Sequence, residues 1–425
     1  MNPILSSSSW KKILTIIFSV ISLTLFADKA VYIASFADFD RRAHSSDKPV
    51  TVVFFGGSLM WGSGASDPER TSFRALMEAH LRKQYPSAHF VFRNEAIGGT
   101  GSKLGMFRVA SGVLSHKPDL VFLDFTTEDK LDGTDRETLA SYECILRDLI
   151  SQGIPVVEVL SGSRNYFEAG WKPLGPTRLR DYLEMGNLYH IGIGNSFPMI
   201  QNFLQNGKAK RDLIWPKGQV HANDVGHRMF FEVARDGLER AILEKRLCNF
   251  PTAAVFADEY KKRVQFFPAN LSLPAGWRVG KTLGHSLKPG EIPTDRMNEV
   301  AVSDAKDDEK VEPLQLSFTG TFLGILGEAD ENGLGFSVFI DGEPALFDIE
   351  SEDEVWPTIS AKAEDGQHFF WHVISDKLTP GPHTIKIRPV VTDGVDKGEL
   401  RIGSICVAGP AADSSQSISA TATGF

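Results

Sequence analysis

Between residues 50 and 246 short, almost wholly apolar runs alternate with longer stretches whose apolar residues recur at helical spacing, and few folds accommodate that alternation. The runs "VTVVFFGG", "HFVFRNEA", "PDLVFLDF" and "IPVVEVLSG" are read as strands, the apolar ones covered on both faces because they lack the polar alternation of a wetted surface. Between them lie "SFRALMEAHLRKQY", with Phe73, Leu76, Met77 and Leu81 on one face, then "MFRVASGVLSHK", then "LASYECILRDLISQG", closed by Gly153. "TRLRDYLEMGNLYH", a short "IGIG" strand and "DVGHRMFFEVARDGLERAILEK" complete the series. Strands separated by helices are parallel neighbours joined by right-handed crossovers, so the expected fold is an α/β three-layer sandwich. Ligands of such sheets bind beyond the carboxyl ends of the strands.

Past residue 250 the pattern changes. "LQLSFTG" sets Leu314, Leu316 and Phe318 against Gln315, Ser317 and Thr319, and "HTIKIRP" alternates Ile385 and Ile387 with Lys386 and Arg388. With "GFSVFIDG", "HFFWHVIS" and "ELRIGSICVAG", separated by Gly, Asp and Pro turns, these predict a second, all-β sandwich domain. A chain of 425 residues, 42% of them hydrophobic, has material for two cores. The expected boundaries are 45–248 for the α/β domain, able to fold alone, and 249–410 for the β-sandwich, with a Ser- and Thr-rich disordered tail over 411–425. The acidic stretch Ser303–Lys310 lacks the spacing of a calcium loop and is read as solvated surface.

Lys11 and Lys12 precede Ile13–Ala27, an apolar run of roughly 15 residues, the length of a signal-peptide core and short for a membrane span. Residues 1–27 are therefore expected to be an export signal, with an uncleaved signal anchor as the alternative, and the chain to act in the periplasm, outside the cell or at its surface. A net charge of −9 argues against nucleic acid as a partner, and no membrane contact is expected beyond the export signal. Cys144, Cys248 and Cys406 lack metal-ligand spacing and are expected as buried free thiols, a Cys144–Cys248 bridge being the alternative.

Four loops at the predicted strand ends carry chemistry. The first strand runs into "GGSLMWGSG", which presents the Ser58 hydroxyl on a bare backbone. The second ends in "NEAIGGTGS", where Gly98, Gly99 and Gly101 let backbone N–H groups approach a ligand. The third ends in "LDFTTEDK", with Glu128 and Asp129, and "GQVHANDVGH" sets His221 just before the last helix. Parallel topology gathers all four at one edge, and nucleophile–base pairs are defined by such geometry, not by chain distance.

In this order the four segments resemble the blocks of the SGNH (GDSL-type) hydrolases over most of Pro49 to Lys245. "FFGGSLMWGSG" resembles the first block, with Gly57 where the name motif has Asp. "NEAIGGTGS" and "PDLVFLDFTTED" resemble the second and third, and "VHANDVGH" the last. The resemblance implies a flavodoxin-like sandwich and a serine esterase that uses no metal or other cofactor. It implies Ser58 as nucleophile, with its own N–H in the oxyanion hole, Gly99 as a second backbone donor, and His221 as general base. Two further positions depart from the pattern. Glu128 stands where the oxyanion-hole asparagine belongs, and Gly218 where the histidine-orienting aspartate belongs.

An ionised Glu128 opposes a developing oxyanion, a protonated one donates to it, and one turned toward Lys130 or Arg164 leaves the hole to the backbone. His221 then needs another orienting group: a main-chain carbonyl, Asp212 or Asp129. Asp224 is read as a helix cap and His227 as packing within the helix. After the fourth strand, the loop Ser161–Gly175 brings Arg164, Tyr166, Phe167 and Trp171 to the same edge, near Trp61. These either line a sugar site or pack on the domain surface. The expected protein is an exported esterase acting on an acylated carbohydrate. The alternatives are a glycan-binding protein with a degenerate site, or an acyltransferase in which a sugar hydroxyl intercepts the acyl-enzyme.

Overall fold

The computed structural model describes residues 34–45, 47–167, 177–205, 208–283, 297, 299–304, 311–329, 333–358, 369–391 and 398–410. The expected export signal, Trp171, most of the acidic stretch and the tail after Pro410 lie outside the described residues.

The α/β unit comprises α1 (Phe36–Ala43), β1 (Val50–Gly56), α2 (Ser58–Trp61), α3 (Phe73–Gln84), β2 (Phe90–Asn94), α4 (Ser102–Arg108), β3 (Leu120–Asp124), α5 (Arg136–Ser151), β4 (Val156–Leu160), α6 (Thr177–Leu188), β5 (Gly192–Asn195), α7 (Phe197–Leu204) and α8 (Asp224–Leu243). The five strands pair in parallel in the order β2-β1-β3-β4-β5, the doubly wound arrangement the alternating pattern implies. Their register decides where the site falls. Phe54 pairs with Asn94 on one side and Phe122 on the other, and Gly56 with Asp124, so β1 and β3 end level while β2 stops opposite Phe54 and its loop runs on beside Gly56. Apolar rings lock that register, Phe54 stacking on Phe122 at 5.2 Å and Phe55 meeting Phe125 edge-on at 5.2 Å.

Side-chain caps begin the long helices: Ser72 accepts from Ala75 N–H, Asp135 from Thr138 N–H and Asn223 from Val225 N–H. The cap of α8 is thus Asn223, and Asp224 is its first helical residue. Helix α1 precedes the expected start at residue 45 yet belongs to this unit. Phe36, Phe39 and Ala43 are buried in its core, and Cys248 N–H donates to Ala34 O at 2.8 Å.

The second part of the chain holds β6 (Lys262–Phe266), β7 (Trp277–Lys281), β8 (Glu299–Ser303), β9 (Leu314–Gly320), β10 (Phe322–Glu328), β11 (Gly335–Ile340), β12 (Glu343–Ala345), β13 (Phe369–Ser375), β14 (Gly381–Val390) and β15 (Leu400–Gly409). They form two antiparallel sheets, β13-β10-β15-β8-β7 with β6 also on β15, and β12-β11-β14-β9. β9 and β14 alternate buried and exposed residues, as strands with one wet face do, whereas β10 and β15 are buried throughout. The reason is that β10 and β15 lie between two cores. Leu323, Ile325, Ile405 and Val407 pack inside the β-sandwich, while Phe322, Cys406 and Ala408 pack into the α/β core. Cys144, Cys248 and Cys406 are buried free thiols, each pushed up to about 12 by burial.

Candidate active site

β1 stops at Gly56, and Gly57, which has no side chain to offer, caps the short helix α2. Ser58 is therefore the first residue of a helix, where the N–H has no intrahelical acceptor. Its side chain is nearly buried, and its Oγ lies 2.9 Å from Nε2 of His221. The His221 loop is closed by Asn223, which donates its N–H to Ile214 O at 2.8 Å and its Nδ2 to Leu213 O at 3.0 Å. The two loops meet at Gly64, where a Cβ would fall 2.3 Å from Ala222 O and 2.8 Å from His221 Cβ.

The start of α8 fastens the nucleophile's loop as well as the histidine's. The Asp224 carboxylate accepts Ser66 N–H at 2.8 Å, Ser66 Oγ at 2.6 Å and Thr71 Oγ1 at 2.8 Å. His227 is fully buried, and burial lowers its pKa to about 4, so the ring is neutral. Nε2 then donates to Ser63 O at 3.0 Å while Nδ1 accepts Phe73 N–H at 3.4 Å. From the sequence alone these two residues are expected to serve as a cap and in packing. Both instead tie the segment after Ser58 to the helix that carries His221. Their spacing in "NDVGH" is the available signal, since positions 224 and 227 share a helix face.

The loops after β2 and β3 form the opposite wall. Ile97 N–H donates to Gly56 O at 3.0 Å, Thr100 Oγ1 to Ile97 O at 2.8 Å, and Gly99 turns with φ of 71°. A Cβ on Gly57 would lie 3.2 Å from Thr100 O and 3.5 Å from Glu128 Cγ, so the Gly99 loop and the Glu128 side chain both border the residue before the nucleophile. Asp129 is buried beneath, accepting Ser102 N–H at 2.8 Å and Tyr182 OH at 2.6 Å, and burial raises its pKa to about 6. Burial likewise raises Asp124 to about 6, although its carboxylate accepts from Thr126 and Ser161, and Glu158 to about 8, where it accepts Tyr142 OH at 2.9 Å.

Other expected site residues are engaged elsewhere. Asp212, weighed as a partner for His221, pairs with Arg164 at 2.6 Å, and Arg164 also donates to Trp215 O at 2.6 Å. Asp129 faces Ser102 and Tyr182, as described. Gly218 is exposed with φ of 81°, and a Cβ there would meet nothing within 4 Å. Tyr166 is buried with its hydroxyl accepting Leu131 N–H at 2.7 Å, and Phe167 lies against Trp215 and Phe197, so both serve the framework of the loop. Trp61 is half-buried against the core. Among the described residues, the carboxylates of Asp135, Glu137 and Asp376 gather closely enough to hold a cation, but the Lys103 ammonium already sits among them, 2.6 Å from Asp376 and 3.4 Å from Asp135.

A serine at a strand-to-helix turn, hydrogen-bonded to a histidine from the loop before the last helix, is the arrangement that the resemblance to SGNH hydrolases implied. Residues 54–229 match the GDSL-like lipase/acylhydrolase family. This stretch is a GDSL-type hydrolase domain. With its β-sandwich it superposes on a two-domain esterase (CEX) active on acetylated mannans, co-crystallised with mannopentaose, with a TM-score of 0.64 and 18% identity over 88% of this chain and 94% of the other. A second structure of a two-domain esterase (CEX) active on acetylated mannans gives 0.65 at 18% identity, covering 88% and 95%. At that identity the likeness establishes a shared fold for the GDSL domain and the β-sandwich together. No curated protein matches the chain. Among the described residues no helix is long and apolar enough to cross a membrane.

Proposed function

We propose that this protein is an exported serine esterase that removes acetyl or other short acyl groups from a carbohydrate. The 2.9 Å contact between Ser58 Oγ and His221 Nε2 carries the reading. In the reaction, His221 Nε2 takes the Ser58 proton as Oγ bonds to the acyl carbon, and the same nitrogen returns it to the departing sugar hydroxyl. Water, deprotonated by His221, then attacks the acyl-enzyme and releases the acid. The N–H groups of Ser58 and Gly99 are the assigned donors to the tetrahedral oxyanion. A carbohydrate ester as substrate accords with the fold shared with the mannan esterase, and the cationic start followed by Ile13–Ala27 supports export. Among the candidate substrate residues, Trp61 remains as a contact, whereas Arg164 is held by Asp212 and Trp215 O, and Trp171 lies outside the described residues.

A second reading, a glycan-binding protein that does not turn over its ligand, is favoured by one observation: the Glu128 side chain borders Gly57 where the family places a neutral amide donor. Release of acetate from acetylated oligosaccharides, with and without an acceptor sugar, separates esterase, acyltransferase and binder. Covalent labelling by a phosphonate ester, mapped to the peptide holding Ser58, is expected. A protein that binds oligosaccharide yet neither releases acyl groups nor takes the label is the second reading.

A further inference from the structure

The segment that carries the Gly99 N–H is glycine-rich, and glycine backbone has the most conformational freedom to lose on being held in place. Its own fastenings are Ile97 N–H to Gly56 O at one end, Thr100 Oγ1 to Ile97 O within it, and Ser102 N–H to Asp129 at the other. The flanking side chains turn away from the catalytic domain's core. Ile97 and Leu104 form a separate buried cluster with Met297, Leu326 of β10 and Phe369 of β13, against which Trp371 packs. The same helix, α4, meets the β-sandwich twice more. Phe107 lies 5.6 Å from Phe322, and Lys103 is ion-paired at 2.6 Å with Asp376, which follows β13. β10 and β13 are directly paired, Leu326 opposite Trp371 and Glu328 opposite Phe369, so the seat under Ile97 and Leu104 is one continuous piece of sheet.

We infer that the β-sandwich positions the Gly99 donor: Leu326 and Phe369, acting through Ile97 and Leu104, are positioning residues for the proposed reaction. The inference rests on the proposed function. An oxyanion donor is effective only when it is held in place before the charge develops, and a small misplacement forfeits much of its effect. Side chains that fix both ends of a glycine segment supply that constraint from outside the catalytic domain. The β-sandwich therefore contributes to turnover itself, even on a substrate too small to touch it.

The full-length chain tests this with p-nitrophenyl acetate and with hydrogen–deuterium exchange of the Gly98–Gly101 amides. Leu326→Ala is expected to lower kcat about 10–100-fold, the scale of weakening one oxyanion donor, with KM within about twofold. It should also speed exchange at Gly98–Gly101. Leu326→Met, which keeps the volume, should restore most of the rate. Ile385→Ala, in the β-sandwich core away from α4, should lower the melting temperature without changing kcat. Should Leu326→Ala fail to fold, Asp376→Asn weakens the same seat at its rim and should move kcat and exchange in the same direction. Equal kcat in the Leu326 and Ile385 variants, or unaltered exchange at Gly98–Gly101, overturns the inference. A wild-type protein that hydrolyses no ester refutes the proposed function instead, and exchange alone then decides whether the seat holds the loop.

Discussion

Removing the charge of Glu128 is the most informative single perturbation of this site. Its Cγ borders Gly57, the residue next to the nucleophile, so a carboxylate there stands close to the charge that develops on the tetrahedral intermediate. Two unit charges about 5 Å apart repel by about 3 kcal/mol at an effective dielectric near 20. Glu128 is half-buried, and solvent screening reduces that figure to about 1.4–2.7 kcal/mol, or about 10–100-fold in rate. Glu128→Gln and Glu128→Asn should therefore both raise kcat on p-nitrophenyl acetate by about 10–100-fold, with little change in KM. Raising the ionic strength should shrink the difference between wild type and variants. The measurement is a pH–rate profile of the three proteins side by side. Profiles that superimpose in height and shape would place Glu128 outside the electrostatics of the reaction. A fall in kcat in both variants would refute the repulsion and make the carboxyl a contributor to turnover.

Three further outcomes are expected. Ser58→Ala and His221→Ala should each abolish ester hydrolysis, and the double variant should be no worse than either, because the pair acts as a unit; residual turnover in Ser58→Ala would require another nucleophile. Glu158 is raised by burial, so the folded chain holds its proton more tightly than the unfolded chain does. Its contribution to stability is thus present at low pH and lost as pH rises from the ordinary carboxyl range to about 8. Melting curves should show Glu158→Gln gaining roughly 3–6 °C on wild type between pH 5 and pH 8, and a pH-independent difference would contradict the assignment. A chain ending at Lys245 should aggregate, since it lacks the Val255, Phe256 and Ala257 N–H groups that Glu143 accepts and the Phe322 and Ala408 side chains that cover the α/β core; a soluble, cooperatively melting product would refute this.

That last expectation reverses what the sequence suggests, and the reason is physical. Runs such as "VTVVFFGG" and "PDLVFLDF" declare their environment because a strand covered on both faces tolerates little polarity, and parallel topology then places Ser58 and His221 at one edge. "ELRIGSICVAG" carries the same message of two covered faces, but a strand cannot state what covers it. Here the cover is the catalytic domain. Helix α1 is not legible because "FADFDRRA" offers just Phe36, Phe39 and Ala43 to the core within eight residues, half of them charged. Tyr166 is ambiguous in the sequence for a related reason, since an aromatic ring suits a sugar or a core equally and its Leu131 partner decides. Asn223 and Asp224 are adjacent and both able to cap, so which one does so depends on backbone geometry that composition does not contain.

β15 has a consequence for how the chain reaches this state. It is the last described strand, yet Cys406 and Ala408 complete the α/β core while Ile405 and Val407 complete the β-sandwich. A polypeptide emerging from a ribosome or a translocation channel can pair β1 with β3 early, but neither core is closed until residues near 408 are free to dock. Contacts between residues so far apart in sequence are slow to form, because their loop-closure entropy is met before the contact rewards it. Until then the faces awaiting β15 are exposed apolar surface, the condition under which partly folded chains associate with one another. The nascent protein therefore depends on protection over nearly its whole length. A substitution in this one strand should depress the yield of folded protein more than an equally buried substitution in β2, whose side chains serve a single core.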